Sequence, residues 1–308
     1  MILCCGESLI DMIPEQTSKV TSGFVPYPGG AIFNTAIGIG RLECPVGLMS
    51  GISTDIFGQQ LMAELSASNV DTRNIILSDR PTTLAFVQLT DGQASYLFYD
   101  ENSAGRMIAL EDMPHQLKSI TAFLFGGISL HCDPGAEAYV RFAETHANDS
   151  VVMLDPNIRP SFISNEMLFR DHMERMLRLA DIVKVSNEDL NWFFPGSEAV
   201  DTKIAKLRKL GPALVVLTNG SSGVKAWKPE GDLIFVDTLK VDVVDTVGAG
   251  DSFNAGFLTS LSKAGLLNKA TIRLILDSDI AAALNFGVRT AAKTVGRAGA
   301  NPPWRDEL

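Results

Sequence analysis

The sequence contains no run of about 18 apolar residues and no basic leader ahead of an apolar segment, so we predict neither a membrane-spanning helix nor a secretory signal peptide. Cysteine is scarce, with 4 among 308 residues, and no pair has C-x-x-C spacing. We therefore expect Cys4, Cys5, Cys44 and Cys132 to be unpaired core residues of a cytoplasmic protein.

Positive charge is also in short supply. Lysine and arginine number 26 against 36 aspartates and glutamates, which gives a formal net charge of -10. Such a chain lacks the broad basic surface that binds duplex DNA or an anionic membrane, so we expect neither as a partner. An anionic ligand must instead be held by a local site.

Several familiar motifs are missing as well. The pattern G-x-x-x-x-G-K-[ST] does not occur, and the run GAGDSF has Phe253 where a dinucleotide fingerprint needs its third glycine. There is no H-R-D loop, no histidine pair with zinc-ligand spacing and no G-x-S-x-G elbow. These absences argue against P-loop NTPases, dehydrogenases, protein kinases, zinc hydrolases and serine esterases.

What the sequence does contain is an alternation of short apolar runs with longer segments of helical period. The runs have strand length and read ILCCG, VGLMSGI, AFLFGGIS, VVMLDPN, DIVKVS and ALVVLTNG. This alternation predicts one α/β domain over residues 1–308, with a mostly parallel sheet covered by helices. In that architecture ligands lie beyond the carboxyl ends of the strands.

Residues 83–101 break the alternation. Their two β-rich arms flank Asp91-Gly92, a pair suited to a tight hairpin turn. Because an isolated hairpin is marginal in water, we expect it to join residues 12–27 in a small β-sheet lid. An edge hairpin of the main sheet is the alternative.

The sharpest local feature is DTVGAGDSF, residues 245–253, which reads as a loop followed by a helix that begins near Asp251 or Ser252. Glycines let backbone amides approach a ligand, and a helix start carries unpaired amides with partial positive charge. This combination predicts an anion site. Asp251 is either a helix cap or the general base of a phosphoryl transfer.

At this point the sequence resembles the PfkB, or ribokinase-like, sugar kinases. DTVGAGDSFNAGF resembles their C-terminal signature, and GLMSGISTDIFG resembles their N-terminal one. The segments GESLIDMIP, PGGAIFNTAIGIGRL, DPNIRP, VKVSNEDL, LTNGSSGV and GRAGANP match in order and spacing. The resemblance covers nearly the whole chain.

The resemblance implies a ribokinase-like α/β fold with a lid, ATP and Mg²⁺ as cosubstrates, and phosphorylation of a sugar hydroxyl. It makes Asp251 the base that accepts the hydroxyl proton. The anion hole is then formed by Gly248, Ala249, Gly250 and Asp251. The positions that match sugar-hydroxyl contacts are Asp11, Gly29, Gly30 and Asn34. Short carboxylates and amides suit hydroxyl groups because they offer paired acceptors or both donor and acceptor.

The same resemblance places the nucleotide in the C-terminal half. The expected nucleotide contacts are Thr218, Gly220, Gly223 and Asn285. The usual N-x-x-E magnesium motif reads here as Ser186-x-x-Asp189, and we favour Asp189 over Glu188 as the residue that orders metal-bound water. Asp245 resembles the monovalent-cation position of many members, which makes K⁺ a further hypothesis.

Two residues bear on which sugar is used. Arg159 in DPNIRP supplies a multiply donating charge, as in fructokinases and 2-keto-3-deoxygluconate kinases. Asp100 stands where those subgroups commonly have arginine, and a carboxylate there would repel a sugar acid. The leading interpretation is therefore an ATP-dependent fructokinase that forms a homodimer through its lid. The alternatives are a 2-keto-3-deoxygluconate kinase, another sugar or nucleoside kinase, and a non-catalytic sugar-binding protein.

Overall fold

The structure is a computed structural model that describes residues 1–16, 22–90, 93–115, 117, 119–231 and 233–308, with the backbone alone at residues 22, 88–90 and 93–95. Its strands, in chain order, are β1 (Ile2–Cys5), β2 (Leu9–Gln16), β3 (Ser22–Gly29), β4 (Val46–Met49), β5 (Gly51–Ser53), β6 (Ile76–Ser78), β7 (Leu84–Thr90), β8 (Gln93–Tyr99), β9 (Ala122–Gly126), β10 (Val151–Asp155), β11 (Ile182–Ser186), β12 (Leu214–Thr218), β13 (Val224–Trp227) and β14 (Ile234–Val236). Its α-helices are α1 (Ala31–Arg41), α2 (Ile56–Ala67), α3 (Gly135–His146), α4 (Glu166–Leu179), α5 (Asn187–Phe193), α6 (Val200–Arg208), α7 (Ala249–Lys263) and α8 (Asp277–Val295).

The central sheet has the order β14-β13-β12-β11-β10-β9-β1-β4. From β12 to β4 all neighbouring strands are parallel, and β13 and β14 add an antiparallel edge. The parallel strands are continuous apolar runs because both of their faces are covered. The prediction of a mostly parallel α/β sheet is confirmed.

Helices cover both faces of this sheet. On one face, α1, α7 and α8 pack against strand residues such as Ile182 and Val216. On the other face, α3, α4 and α6 pack against the alternate residues, such as Val183 and Val185. The core therefore consists of two apolar layers, one on each side of the sheet, and the carboxyl ends of the parallel strands are left open for a site.

A separate four-stranded sheet has the order β3-β2-β7-β8. The two arms of the predicted hairpin, β7 and β8, pair antiparallel here and not at the edge of the main sheet. The proposed turn residues, Asp91 and Gly92, lie outside the described residues. The register places Asp11 opposite both Tyr27 and Ala85, and Ala85 opposite Phe98. Residues that lie opposite each other in a sheet share a face, so Asp11 and Phe98 are on the same side.

The helix that follows the glycine loop begins at Ala249, earlier than predicted. Gly248 has a φ of 74° and occupies the N-cap position. This left-handed conformation lets the chain enter the helix directly from the glycine, and Asp251 becomes the third helical residue instead of the first.

The cysteines are free thiols. Cys4, Cys5 and Cys44 are buried, as predicted, whereas Cys132 is only half-buried because it lies in the turn before α3. Within the described ranges no helix is long and apolar enough to cross a bilayer.

Candidate active site

A cavity of about 320 Å³ lies between the two sheets, at the carboxyl ends of the parallel strands. Its lining comes from β2, β8, β11, the start of α1, the loop that precedes α7 and the first turn of α7, and the loops that follow β9 and β10. The lining residues are Leu9, Asp11, Gly30, Ala31, Asn34, Tyr96, Phe98, Ile128, Asn157, Arg159, Lys184, Thr246, Val247, Gly248, Ala249, Gly250 and Asp251. One space thus collects the predicted base, the predicted anion hole and most of the predicted sugar contacts.

The anion-hole loop is fixed by close packing. A Cβ atom at Gly248 would lie 2.7 Å from the Cβ of Ala300, so both the left-handed backbone and the available space require glycine. The Ser252 amide donates to the Gly248 carbonyl at 2.9 Å, which starts the helical hydrogen-bond ladder. The Ala249 amide donates to the Thr246 carbonyl at 3.3 Å, whereas the amides of Gly250 and Asp251 precede the ladder at the helix end, where an anionic group is favoured.

Asp251 is buried in this first turn, and its carboxylate faces α1. Asn34 Nδ2 donates to Asp251 Oδ2 at 2.9 Å. The pKa of Asp251 is raised to about 7, mainly by burial and to a smaller extent by the nearby charge of Asp155. The Asn34 hydrogen bond and the charges of Lys184 and Arg159 oppose this increase. A carboxyl group with a pKa near neutral pH can accept a proton in a reaction, which a simple helix cap does not require.

Asp11 lies on the cavity face of the small sheet. Burial raises its pKa to about 6, and the charge of Arg159 opposes that increase. Gly29 lies behind the Asp11 carboxylate, and a Cβ at Gly29 would overlap Asp11 Oδ2. Gly29 therefore makes room for Asp11 without lining the cavity itself.

The turn into α1 depends on Gly30 and Glu7. Gly30 has a φ of 106°, and a Cβ there would lie 2.9 Å from the Glu7 carbonyl oxygen. The buried Glu7 carboxylate accepts from the Ile32 amide at 3.2 Å and from Ser129 Oγ at 2.7 Å. Glu7 thus holds the start of the helix that carries Asn34. Sequence reasoning missed this residue, although an acidic residue two positions after a buried strand was a signal for it.

Another part of the cavity lining combines a charge with aromatic rings. Arg159 Nη1 donates to the backbone carbonyls of Asn157 and Ile158 at 3.3 and 3.2 Å. Phe98 lines the cavity and packs on Phe162 with ring centroids 4.0 Å apart. The cavity thus combines a cation with a flat apolar surface that shares the sheet face of Asp11, which suits a polyhydroxylated ligand.

Asp100 is not in this wall, which removes the specificity argument built on it. Its Oδ1 accepts from Thr83 Oγ at 2.6 Å and from Ser103 Oγ at 2.8 Å. Its Oδ2 lies 3.5 Å from His131 Nε2. Asp100 is the first residue after β8 and Thr83 is the last before β7, so the carboxylate ties the two ends of the hairpin together. It does not face a sugar.

The four residues predicted to contact the nucleotide lie outside the cavity lining. Thr218 ends β12 and donates to the Val185 carbonyl at 3.4 Å. Gly220 and Gly223 follow it in a short turn with φ values of 47° and 95°. Asn285 is exposed on α8 and donates to the Ala281 carbonyl at 2.8 Å. Their roles remain predictions.

The residues predicted to contact metal ions are also outside the cavity lining. Asp189 is buried: its Oδ1 accepts from the Ile158 amide at 2.7 Å, and its Oδ2 accepts from the amide and hydroxyl of Ser186 at 2.9 and 2.8 Å. Glu188 is exposed. Asp245 accepts from the amides of Val247 and Gly299 at 3.0 and 2.9 Å. Over the described residues, no cluster of three or more His, Cys, Asp or Glu side chains could hold a metal ion.

Comparisons with known proteins identify the family of the chain. The family model described as pfkB family carbohydrate kinase matches residues 1–307. The chain is 46% identical over 272 residues to a fructokinase of Rhizobium leguminosarum bv. trifolii, which covers 88% of this chain and 83% of that protein. These matches extend over nearly the whole chain.

Solved structures give the same result. The crystal structure of a fructokinase with bound ATP from Xylella fastidiosa superposes with a TM-score of 0.89 at 27% identity and covers 97% of this chain and 93% of the other. A Vibrio cholerae fructokinase with fructose, ADP and a calcium ion bound superposes with a TM-score of 0.84 at 25% identity, covering 97% and 94% of the two chains. The predicted ribokinase-like architecture is confirmed.

Proposed function

The chain belongs to the pfkB family of carbohydrate kinases, and from this membership we propose that it is an ATP-dependent fructokinase that converts D-fructose and ATP to D-fructose 6-phosphate and ADP. The observation that carries the proposal is the position of Asp251. Its buried carboxylate, with a pKa of about 7, lies in the first turn of α7, inside a cavity that is also lined by Asp11, Asn34 and Arg159. Base, anion hole and sugar contacts thus share one space.

The chemistry follows from this arrangement. The primary hydroxyl of the sugar lies beside Asp251, which takes the hydroxyl proton as the oxygen attacks the γ-phosphorus of ATP. The bond from that phosphorus to the β,γ-bridging oxygen breaks, and ADP leaves with its electron pair. The amides at the start of α7 stabilise the charge on the transferring group. Asn34 holds one carboxylate oxygen of Asp251 and so orients the base.

Fructose is favoured by the similar fructokinases and by the cavity wall. Asp11 and Arg159 offer an acceptor and a donor, and Phe98 offers a flat apolar surface. With Asp100 turned away, electrostatic repulsion no longer excludes a sugar acid. Since Arg159 is a cation in the wall, a 2-keto-3-deoxygluconate kinase is the second candidate.

Glu188 is a better candidate than Asp189 for binding Mg²⁺ through a water molecule. Both oxygens of Asp189 accept hydrogen bonds from the protein, whereas the carboxylate of Glu188 is exposed in the first turn of α5. We therefore assign Glu188 as the residue that would hold a metal-bound water. Bound Mg²⁺ would neutralise phosphate charge on the nucleotide.

A K⁺ ion near Asp245 is the weaker of the two metal proposals. The Asp245 carboxylate already joins the anion-hole loop to Gly299, a bracing role that needs no ion. The remaining lone pairs of the carboxylate could take a cation as well. Equal turnover in exchanged sodium, potassium and cation-poor buffers would contradict the cation.

We further propose that the small sheet closes as a lid and pairs with a second copy of the chain. Its outer face carries Phe24, Leu97 and Tyr99, which are exposed, and Phe86, which contacts the rings of Phe24 and Tyr99. Apolar surface of this kind is typical of protein interfaces. We place the reaction in the cytoplasm, where ATP is available and free thiols stay reduced.

The test is a coupled ADP-release assay over fructose, 2-keto-3-deoxygluconate, ribose, glucose, tagatose and adenosine. We expect the highest kcat/KM with fructose. A marked preference for 2-keto-3-deoxygluconate would transfer the assignment to the second candidate. Sugar binding without ADP release from any substrate would identify a non-catalytic sugar-binding protein.

A further inference from the structure

A lysine interrupts the apolar run of a central strand. β11 reads IVKVS and lies between β10 and β12, where both faces of the sheet are covered. The Lys184 side chain is 6% exposed and extends from the face that also carries Ile182, toward α7. Burying an ammonium group without a partner is costly, so this position must have specific support.

The support is Asp155, which ends the neighbouring strand. Lys184 Nζ donates to Asp155 Oδ2 at 2.9 Å, and the Asp155 side chain is 3% exposed. Asn254 Nδ2 donates to the same oxygen at 2.6 Å. Asn254 lies three residues after Asp251 on α7, so this bond ties the lysine pair to the helix that carries the base. An ammonium group has three hydrogens, so Lys184 can donate to further partners besides Asp155.

The ammonium points to the anion hole. Lys184 lines the cavity, and its Nζ lies 3.3 Å from the position that a Cβ on Gly250 would take. Arg159 is the other cation in the lining. It donates to the backbone carbonyls of Asn157 and Ile158, and its charge lowers the pKa of Asp11, a predicted sugar contact. Lys184 is therefore the cation placed closest to the amides that receive phosphate.

The charge of Lys184 is maintained in this environment. Burial lowers its pKa, but the charges of Asp155, Asp189 and Asp251 outweigh burial, and the net pKa is raised. The lysine is thus an ammonium group throughout the neutral range and is not the proton acceptor.

We propose that Lys184 is a further catalytic residue of the kinase, whose ammonium contacts the transferring phosphoryl group above Gly250, with Asp155 and Asn254 as its positioning residues. This inference rests on the proposed function. The proton of the sugar hydroxyl still goes to Asp251, and Lys184 keeps its own protons. Its contribution is to stabilise the charge spread over the equatorial oxygens of the transferring group, in a geometry reached only in the transition state.

The test compares Lys184→Met with Asp155→Asn. In Lys184→Met we expect kcat to fall by about 10²–10³-fold, as when one transition-state donor is removed, with little change in KM for fructose. Asp155→Asn keeps the ammonium group and an acceptor oxygen beside it, so its kcat should fall clearly less than that of Lys184→Met. Turnover of Lys184→Met close to that of the wild type would overturn the proposal.

A binding measurement separates catalysis from folding. In the presence of fructose and Mg²⁺, ADP with tetrafluoroaluminate mimics the transferring phosphoryl group. The wild type should bind it more tightly than ADP alone, and Lys184→Met should lose most of that gain while binding ADP normally. An unchanged gain would again contradict the proposal.

The double variant Lys184→Met/Asp155→Asn covers the case in which the single variant does not fold, since it leaves no unpaired buried charge. We expect it to fold and remain slow. Wild-type turnover in the double variant would show that the lysine only neutralises Asp155. If the wild type releases no ADP with any sugar, the proposed function falls and this inference with it; if the wild type is active and Lys184→Met is too, only the inference falls.

Discussion

At the scale of single residues, the site depends on carboxylates that the fold removes from water. Asp251 and Asp11 both have raised pKa values, of about 7 and about 6, because burial disfavours their charged forms. The surrounding groups differ: Asn34, Lys184 and Arg159 oppose the increase in the pKa of Asp251, whereas Arg159 opposes the increase in that of Asp11. The two carboxylates can thus perform different tasks in one cavity.

Replacement of the base gives the most direct prediction. Asp251→Asn should lower kcat by about 10²–10⁴-fold because the amide cannot accept the hydroxyl proton. Fructose affinity, measured by calorimetry, should remain close to that of the wild type because the amide keeps an oxygen and nearly the same volume. Asp171→Asn, at an exposed position of α4, is the matched control and should be fully active. Near-normal turnover of Asp251→Asn would refute the assignment of the base.

The same variant should be no less stable than the wild type at pH 8. The folded pKa of Asp251 lies above its unfolded value, so ionising this group costs stability. That cost is absent below the unfolded pKa, grows as the pH rises, and is complete above about pH 7. The melting temperature of Asp251→Asn minus that of the wild type should therefore increase as the pH is raised from acidic values to 8. A constant difference across that range would contradict the raised pKa.

The pH profile offers an independent check. In the free enzyme, kcat/KM should fall on the acid side with a midpoint at about pH 7, because only ionised Asp251 accepts the proton. Asp11→Asn removes the other raised carboxylate, so the midpoint should stay near 7 even if the rate drops. Asn34→Ala removes a hydrogen bond that lowers the pKa of Asp251, and the midpoint should move upward. If the midpoint shifted in Asp11→Asn and stayed in Asn34→Ala, Asp11 would be the titrating base and the assignment of Asp251 would be wrong.

At the scale of elements, the helix start of α7 decides where the base lies. The sequence showed glycines ahead of a helix, but it did not reveal that Gly248 takes a left-handed conformation against Ala300. This packing moves the helix start back to Ala249 and turns Asp251 toward α1. The start of α7 is therefore set by the long-range contact between Gly248 and Ala300 and not by local helix propensity.

Two glycines of similar conformation test this point. Gly248 and Gly265 have φ values of 74° and 71° and flank opposite ends of α7, but a Cβ at Gly265 would meet nothing within 4 Å. Alanine at either position should cost about 1–2 kcal/mol of stability from the left-handed backbone. Only Gly248→Ala should also lower kcat, since it displaces the anion hole. Equal kcat in the two variants, measured by ADP release, would argue against a role for the loop in catalysis.

At the scale of the whole molecule, periodicity was enough to predict the layered fold. Six apolar runs separated by helical segments predicted the parallel sheet, and the hairpin signal in residues 83–101 predicted a second sheet. The direction of individual side chains was not predictable. Asp100 was expected in the cavity wall but binds Thr83, and Lys184 was overlooked although a charge in a buried strand should have drawn attention.

The outer face of the small sheet predicts the association of two copies. If this face is an interface, Leu97→Asp should convert the dimer to a monomer, because Leu97 is 59% exposed within the apolar row and a charge there would be buried on pairing. Met167→Asp places the same charge at a side chain that is 80% exposed on α4 and should leave the dimer intact. The measurement is the mass in solution by light scattering; a monomeric wild type would refute the interface.

The register of the small sheet links its two faces in a way that constrains how the protein can evolve. Tyr96 and Phe98 face the cavity, and their neighbours Leu97 and Tyr99 face outward. An insertion or deletion of one residue within β8 would exchange the two sets, so the cavity wall and the outer surface would be lost together. Substitutions can therefore change ligand preference and association separately, whereas a change in the length of this strand by an odd number of residues cannot.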